Sequence, residues 1–218
     1  MTVTPINACI LVFLKAPYPG QVKTRLGKFI GNAQAAQLYQ YFVEDILTTV
    51  DALCIRSLIF FSPIDGLSML QSWLGCHRTY IPQQGDNLGD RMAHAFRTSF
   101  ALGYQQVLIV GSDSPDLPSA YLQEALEALQ QDKAVIGPSE DGGYYTLGFT
   151  PHTFCPEVFQ DMPWSTSQVY PLTLERLKHN AHAIQILPIW SDIDTLDDLW
   201  AFYHRHLSEQ PLSPSLSY

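Results

Sequence analysis

Charge and long apolar runs are both scarce in this 218-residue sequence. Charged residues make up 15% of it, and only 12 Lys and Arg stand against 21 Asp and Glu, for a net charge of −9. No basic face can be assembled from so few scattered cations, so we expect no nucleic-acid partner. No apolar run approaches the roughly 20 residues that cross a bilayer, which predicts a protein without a membrane span.

Cysteine is also sparse. Cys9, Cys54, Cys76 and Cys155 lie far apart and form no CxxC pair. This spacing favours isolated, reduced thiols over a disulfide framework. The first residues lack the basic region and the small-residue cleavage site of a secretory signal. We therefore expect a cytoplasmic protein.

The sequence does contain a regular alternation of strand-length apolar runs and helical patterns. Strands are predicted at 8–14, 56–62, 78–82, 106–112, 134–139, 144–149 and 183–189, and helices at 33–53, 66–74, 88–103, 119–131, 167–179 and 196–206. Asn32 is the predicted N-cap of the first of these helices. Such alternation indicates βαβ units, and thus an α/β fold with a mainly parallel sheet covered by helices on both faces. We predict one domain over 1–207 and a loose C-terminal tail over 208–218.

The loop after the first strand, KAPYPGQVKTRLG, concentrates cations in an otherwise acidic protein. In open α/β sheets ligands bind beyond the carboxyl ends of the strands, so this loop is well placed for binding. Lys15, Lys23 and Arg25 can converge there with backbone N–H groups, while Gly20 lets the stiff, proline-containing loop turn. Such a set of donors predicts phosphate binding, although the P-loop pattern is absent. The alternative is a surface turn whose cations are only solvated.

Carboxylates follow two later strands. Asp113 ends the apolar run QVLIVGSD, where a carboxylate needs a cation or hydrogen-bond donors. Asp116 is predicted to cap the helix that follows it, and Thr195 and Asp198 have the spacing of a capping box. Asp194 has no such structural explanation. It could hold a divalent ion together with Asp113, with waters and phosphate oxygens completing an octahedron, or both residues could simply cap helices.

Three further loops carry candidate ligand-binding residues. QQGDNLGDRM could place Gln84 and backbone groups against a flat base, or be only a turn. In GPSEDGGYYTLGF, Asp141 precedes two glycines that let a ligand approach the backbone, so it is a candidate general base or substrate-binding group. In DMPWSTS, Trp164 could stack on a sugar or base, or pack in the core. Ser165 and Thr166 are predicted to cap the next helix.

Taken together, KAPYPGQVKTRLG, QGDNLGDRM, GSDSPDLP, GPSEDGGYYTLGF, MPWSTS and DIDTLDDL resemble, in this order, the bacterial DUF2064 family of GT-A-fold, glycosyltransferase-like proteins. Each segment alone is weak, but the ordered set is specific and spans about residues 8–200. The resemblance implies a single-domain GT-A (Rossmann-like) fold of the nucleotide-diphospho-sugar transferase type. Some members are labelled arsenosugar-biosynthesis glycosyltransferases, and the family looks related to the molybdenum-cofactor and phospholactate nucleotidyltransferases.

The resemblance also implies a role for each matching position. The nucleotide would be bound by Lys15, Ala16, Pro17, Gly20, Lys23, Thr24, Arg25, Gln84, Gly85 and Leu88. A Mg²⁺ or Mn²⁺ ion would be held by Asp113 and Asp194, Asp141 would be catalytic, and the acceptor would meet Gly142, Gly143, Trp164 and Ser165. Glycosyltransferases of this fold usually carry a DxD motif. This sequence has DSPD at that point, so only one of its aspartates falls in the usual place. The choice of metal and the donor class therefore stay open.

Three functions fit these expectations. The first is a glycosyltransferase that uses a nucleotide-diphosphate sugar and a divalent metal to glycosylate a small hydroxyl acceptor. The second is a nucleotidyltransferase that joins an NTP to a phosphorylated small molecule. Three cations in the first loop suit a triphosphate, but the segment 140–170 has no Lys or Arg for a phosphorylated acceptor, which favours glycosyl transfer. The third is a nucleotide-binding protein without catalysis. The oligomeric state is open, a homo-oligomer included.

Overall fold

The computed structural model of the protein describes residues 7–180 and 183–207. The strands are β1 (Ala8–Lys15), β2 (Arg56–Ser62), β3 (Tyr80–Pro82), β4 (Gln106–Val110), β5 (Ala134–Pro138), β6 (Tyr144–Phe149) and β7 (Ile184–Ile186). The α-helices are α1 (Thr24–Ile30), α2 (Asn32–Ala52), α3 (Leu67–Leu74), α4 (Leu88–Ala101), α5 (Ser119–Gln130), α6 (Val169–His179) and α7 (Leu196–His206). Short 3₁₀ turns cover Ile64–Gly66 and Pro156–Phe159. The predicted tail, 208–218, lies outside the described residues.

Within the described ranges the seven strands form one sheet in the order β3-β2-β1-β4-β6-β5-β7. The pairs β1–β2, β1–β4, β2–β3 and β5–β7 are parallel. Only β6 runs antiparallel to its two neighbours, β4 and β5. Its amino end therefore lies at the same edge of the sheet as the carboxyl end of β4. The prediction of an α/β fold with a mainly parallel sheet is confirmed.

Both faces of the sheet are buried, as the unbroken apolar run of β1 requires. Because side chains alternate along a strand, Ile10 and Val12 pack into the core beneath α2 and α5. Leu11 and Phe13 face the opposite core, which includes residues of α4 and α6. Each fully buried side chain of this size stabilises the fold by about 1.5–3 kcal/mol. Because β1 lies in the interior of the sheet, the loop that follows Lys15 begins at the carboxyl edge of the central strands.

The helix α1 is the element that the sequence pattern did not predict. It is only seven residues long, and its Gly27 interrupts the helical pattern. Gly27 lies close to the start of α2, since a Cβ there would be 2.5 Å from Asn32 Oδ1. Asn32 itself was predicted as an N-cap, and this prediction is wrong: it is the first residue of α2, and Gly31 (φ 93) stands at the cap position without a side-chain hydrogen bond.

The prediction of isolated thiols is confirmed, since all four cysteines lie in the described ranges and are free. Burial raises the pKa of the Cys9 thiol to about 12, so this side chain behaves as a small apolar residue. Among the described residues, none of the helices combines the length and the hydrophobicity needed to cross a membrane.

Candidate active site

A cleft of about 650 Å³ opens at the carboxyl edge of the central strands. It is lined by the end of β1 and the loop 21–25, by the turn 111–113 after β4, by the beginnings of α4 and β6, and by Trp164, Ser165 and Asp194. This is the edge at which ligands bind in open α/β sheets. The cleft therefore collects residues from most of the loops that the sequence singled out.

Lys23 lies at the end of this cleft that the loop after β1 forms, which we call the β1-loop end. Its side chain is only 2% exposed, and its Nζ lies 2.5 Å from Asp113 Oδ1 and 3.0 Å from Asp194 Oδ1. It also donates to the carbonyl oxygen of Ile193 at 2.6 Å. Burial alone would lower the pKa of Lys23, but the two carboxylates outweigh it and the pKa is raised. The residue is thus a buried ammonium shared between three loops.

The backbone of Lys23 supports the same conclusion. Its φ of 45° lies in the left-handed region, which costs a non-glycine residue on the order of 1 kcal/mol or more. Ser165, at another part of the cleft, has a φ of 64°. Such conformations persist only where the surroundings impose them, and they cluster at functional sites. Here the ion pairs of Lys23 supply that constraint.

Neither Asp113 nor Asp194 caps a helix. The residue at the cap position of α5 is Pro118, and α7 is capped by a reciprocal capping box between Thr195 and Asp198, as predicted. Asp194 contributes only its backbone N–H, which donates to Asp198 Oδ2 at 3.0 Å. Its pKa is lowered, because Lys23 and Arg25 outweigh the effect of burial. Both carboxylates are therefore available to the cleft.

Asp116 was predicted to cap α5, and this prediction is wrong. Its carboxylate accepts hydrogen bonds from Trp190 Nε1 and from Arg205 Nη2, each at 3.1 Å. The side chain is only 6% exposed. These hydrogen bonds offset the free-energy cost of burying its carboxylate. Asp116 ties the loop after β4 to α7 and so fixes the loop that carries Asp113.

The chemistry of this pair fits a hard divalent cation. Each carboxylate directs Oδ1 to Lys23, while the side chains of Asp113 and Asp194 remain 48% and 43% exposed. Carboxylate oxygens are the ligands that Mg²⁺ and Mn²⁺ prefer. Oδ2 of Asp113 has no ion pair with a described residue, and Oδ2 of Asp194 lies 3.7 Å from Arg25 Nη1. In the described ranges no group of three or more His, Cys, Asp or Glu is arranged to hold a metal. Metal binding by the two aspartates stays a prediction, with other ligands to be supplied by water or phosphate.

The remaining residues of the first loop divide into cleft residues and supporting residues. Lys15, Thr24 and Arg25 are exposed and line the cleft. Arg25 Nη1 lies 3.7 Å from Asp194 Oδ2, whereas Lys15 forms no ion pair with any described residue. The predicted nucleotide-binding residues Ala16, Pro17 and Gly20 lie outside the cleft lining. Ala16 and Pro17 are buried and support the loop from below.

Two residues that sequence reasoning missed hold this loop in place. The Tyr39 hydroxyl accepts a hydrogen bond from the backbone N–H of Lys15 at 3.0 Å and shares another with Ser112 Oγ at 2.9 Å. It thereby joins the loops after β1 and β4. Burial and the charge of Asp113 raise the pKa of Tyr39 to about 12, so its proton stays in place. Tyr39 lies in the middle of α2, where its helical spacing signals only core packing.

Asp141 and its glycines lie beside the cleft and not in its lining. Asp141 Oδ1 accepts hydrogen bonds from the Gly143 N–H at 2.8 Å and from Ser139 Oγ. Gly142 (φ 88) packs so closely that a Cβ would lie 2.5 Å from Ser167 Cα. Burial, Asp141 and Asp194 together raise the pKa of Asp192 to about 6. The turn carrying Asp141 is therefore electrostatically close to the loop that carries Asp194.

The other end of the cleft, which we call the α4 end, is formed by the first turn of α4 and by Trp164. Leu88 lines it, but Gln84 and Gly85 do not. Trp164 both packs against a core cluster and lines the cleft, so both interpretations of this residue apply. Its ring lies against α4, because a Cβ on Gly89 would be 2.6 Å from Trp164 Cζ2.

The predicted caps at Ser165 and Thr166 are wrong. Helix α6 begins at Val169, and Gln168 occupies the cap position without a side-chain cap. Thr166 Oγ1 accepts from the Gln168 N–H only at 3.4 Å. Ser165 is instead an exposed hydroxyl in the cleft lining. A hydroxyl that does not cap a helix is free to contact a ligand.

Arg91 is the cation that sequence reasoning missed. It lies in the first turns of α4, is half-buried, and lines the cleft with Trp164 and Ser165. Its Nε donates to the Gly85 carbonyl oxygen at 3.1 Å. The segment QGDNLGDRM contained this residue, but linear sequence could not place it beside a loop more than seventy residues away. The absence of Lys and Arg from 140–170 therefore does not make this end of the cleft free of positive charge.

Comparisons with known proteins agree with this fold. A sequence model described as "Uncharacterized protein conserved in bacteria (DUF2064)" matches residues 46–166. A crystal structure from Desulfovibrio desulfuricans G20, provisionally named a nucleotide-diphospho-sugar transferase, is 40% identical, with a TM-score of 0.93 over 97% of this chain and 93% of that chain. A search of curated proteins found no match.

More distant structures share the fold alone. The CMP:2-keto-3-deoxy-manno-octonic acid synthetase complexed with CTP is 13% identical, with a TM-score of 0.55 over 94% of this chain and 99% of that chain. The 4-diphosphocytidyl-2C-methyl-D-erythritol synthase from Anaerococcus prevotii is 10% identical, with a TM-score of 0.56 over 93% of this chain and all (100%) of that chain. The similarity extends along whole chains, so the architecture is that of nucleotide-diphospho-sugar transferases and nucleotidyltransferases.

Proposed function

The chain belongs to the DUF2064 family, and from this premise and the cleft we propose that it is a transferase whose donor is a nucleotide-diphosphate sugar. The acceptor is a small molecule with a hydroxyl group. The diphosphate binds at the loop after β1, and the sugar points along the cleft towards Trp164 and Ser165.

One observation carries the choice of donor, namely the pairing of Lys23. Its charge is held by Asp113 and Asp194 at 2.5 and 3.0 Å, so it is not a free counter-charge for a ligand. The exposed cations of this loop are then Lys15 and Arg25, whose side chain stays 65% exposed although its Nη1 lies 3.7 Å from Asp194 Oδ2. Two cations suit a diphosphate better than a triphosphate, which revises the expectation drawn from three cations in the sequence.

In the proposed reaction the acceptor oxygen forms a bond to the anomeric carbon of the sugar. The bond from that carbon to the β-phosphate oxygen breaks, and the nucleoside diphosphate leaves with the electron pair. Lys15 and Arg25 stabilise the charge that develops on the diphosphate. A Mg²⁺ or Mn²⁺ ion held by Asp113 and Asp194 would add Lewis-acid stabilisation of the same leaving group.

The acceptor proton needs a base if the reaction inverts the anomeric centre. Asp141 remains our candidate, because its Oδ2 has no hydrogen-bond partner among the described residues while Oδ1 is fixed by Gly143 and Ser139. A carboxylate held in this way keeps a fixed orientation and a free lone pair. In this proposal the reacting hydroxyl of the acceptor lies near the β5–β6 turn, which carries Asp141.

Arg91 supports a second candidate, nucleotidyl transfer. In that reaction a phosphate oxygen of the acceptor attacks the α-phosphorus of an NTP, and pyrophosphate leaves. A phosphorylated acceptor needs a cation at the far end of the cleft, and Arg91 lines that end. One of the distant structures, the CMP:2-keto-3-deoxy-manno-octonic acid synthetase, contains CTP. An NTP as the donor of the present chain would agree with this alternative.

A calorimetric panel separates the two candidates. The UDP-, GDP-, ADP- and dTDP-sugars and the four NTPs are titrated with Mn²⁺ into the wild type and Asp113→Asn. Glu127→Gln, which removes one charge from an exposed position of α5, is the matched control. We expect one nucleotide sugar to bind, and Asp113→Asn to weaken it at least tenfold with no change in the control. Binding of an NTP without any nucleotide sugar would favour nucleotidyl transfer, and binding of neither would overturn the proposal.

A further inference from the structure

Arg91 is a cation of the cleft without a counter-charge among the described residues, as is Lys15 in the loop after β1, whereas Lys23 and Arg25 are paired. No carboxylate of residues 7–180 and 183–207 forms an ion pair with it, in contrast to Lys23 and Arg25. An Arg guanidinium offers five N–H donors, and only Nε has a partner among those residues, the Gly85 carbonyl oxygen at 3.1 Å. Both Nη groups are therefore available to a ligand.

The Nε hydrogen bond also orients this guanidinium. It anchors the side chain to the loop before α4, where Gly85 (φ 137) packs so tightly that a Cβ would lie 2.8 Å from the Arg91 backbone nitrogen. A guanidinium fixed through Nε presents its two Nη groups as a fork. Such a fork matches the two oxygens of a carboxylate or phosphate.

The surroundings of Arg91 are those of a binding pocket. Trp164 lies against the same turn of α4 through the space left by Gly89, and the exposed hydroxyl of Ser165 lines the same cleft. Ser165 adopts a φ of 64°, a conformation that costs energy and is retained where it positions a group. An aromatic wall, a hydroxyl and an unpaired guanidinium are suited to a polar anion with an attached ring or chain.

We propose that Arg91, with Ser165 and Trp164, forms an anion subsite, and that the molecule bound at this end of the cleft carries a carboxylate or phosphate group. This inference rests on the proposed function, because it places the nucleotide diphosphate at the opposite end, on Lys15 and Arg25. It narrows the second substrate from a small hydroxyl compound to an anionic one. Arg91 acts as a specificity residue that selects and orients this substrate.

Calorimetry on protein saturated with its nucleoside diphosphate tests this subsite. The probes are glucose 1-phosphate, glucuronate and, as a neutral match, methyl glucoside. We expect at least one anionic probe to bind and the neutral one to bind at least tenfold more weakly. Arg91→Gln should reduce the affinity for the anionic probe at least tenfold and change nucleotide affinity less than twofold. The comparison of the two anionic probes tells phosphate from carboxylate.

Two further variants keep the test sharp. Arg97→Gln removes an exposed arginine from the same helix. It should change neither the affinity for the anionic probe nor the affinity for the nucleotide. Arg91→Lys keeps the charge but loses the fork, and should retain part of the affinity, which separates charge from support of the loop. Equal binding of neutral and anionic probes, or a loss of nucleotide affinity in Arg91→Gln, would overturn the inference alone. A wild type that binds no nucleotide would overturn the proposed function as well.

Discussion

The two ends of the cleft handle positive charge in opposite ways. At the β1-loop end, Lys23 is buried and its charge is shared by Asp113 and Asp194. At the α4 end, Arg91 has no carboxylate partner among the described residues and keeps two Nη groups free. A buried ammonium must be paired to be tolerated, whereas a half-buried guanidinium can stay solvated until a ligand arrives. The first arrangement builds the site, and the second one leaves a charge for binding.

The number of cations in a loop therefore does not give the number of charges that the loop offers to a ligand. One of the three cations in the first loop holds three loops together, and only the others face outward. A sequence that shows the cations without their partners overestimates the charge offered to phosphate. In our proposal the cation that binds the second substrate is Arg91, which comes from α4 and not from this loop.

The largest effect should come from removing the partners of Lys23. In the double variant Asp113→Asn/Asp194→Asn the buried ammonium keeps only neutral acceptors, so we expect the free energy of unfolding to fall by about 3 kcal/mol or more. Urea denaturation measures this fall, with Glu127→Gln as the control for a lost charge. Unchanged stability would mean that Lys23 leaves its buried position at no cost, and the contrast between the two ends would disappear.

Gly89→Ala should disturb the α4 end without touching a charge. The new Cβ would meet Trp164 Cζ2 at 2.6 Å and the Phe159 carbonyl oxygen at 2.7 Å, and such overpacking costs about 1–3 kcal/mol. We expect lower stability in urea, a shift in tryptophan fluorescence and weaker binding of the anionic probe. Gly111→Ala is the control for stability and fluorescence only, because its Cβ would lie 3.9 Å from the nearest atom but Gly111 itself lines the cleft. Equal behaviour of the two variants would rule out close packing of Trp164 on α4.

The smallest expected effect concerns Asp192, beside the carboxylates of the β1-loop end. Its pKa is raised to about 6, so the folded protein binds a proton that the unfolded chain has released between about pH 4 and 6. Stability from this group is present at low pH and is lost as the pH rises through 6.

Asp192→Asn removes that loss. With a chelator present, we expect it to match the wild type near pH 4 and to exceed it by about 1 kcal/mol above pH 6, a value discounted for the partial exposure of the carboxyl group. Thermal unfolding from pH 4 to 8 measures the difference. A variant that is less stable than the wild type at pH 7 would show that the Asp192 carboxylate is stabilised, and not crowded, by its neighbours.

Most helices and strands could be predicted from the sequence, because they depend on patterns among residues that are close together along the chain. Apolar runs of strand length, such as ACILVFL, and the caps Thr195 and Asp198 depend on neighbours in sequence. The failures involve partners far along the chain. Helix α1 was missed because it has only seven residues and contains Gly27. Asp116 was misread as a cap because its partner Arg205 lies on α7.

The site could be predicted in part for the same reason. The edge of the sheet and the segments that meet there followed from topology, since parallel strands end on one side. The burial of Lys23 could not be predicted, because it depends on two carboxylates, ninety or more residues away along the chain, that meet one nitrogen. The place of Arg91 beside Trp164 depends on the packing of α4 against another loop, which no linear pattern encodes.

A crystal structure with Mn²⁺ and the nucleotide sugar selected by the binding panel tests the central claim most directly. The account predicts the diphosphate on Lys15 and Arg25, anomalous scattering from the metal beside Asp113 and Asp194, and the sugar pointing towards Trp164 with Arg91 still free. A diphosphate bound to the Arg91 guanidinium instead would contradict the account, because the two ends of the cleft would then have exchanged roles.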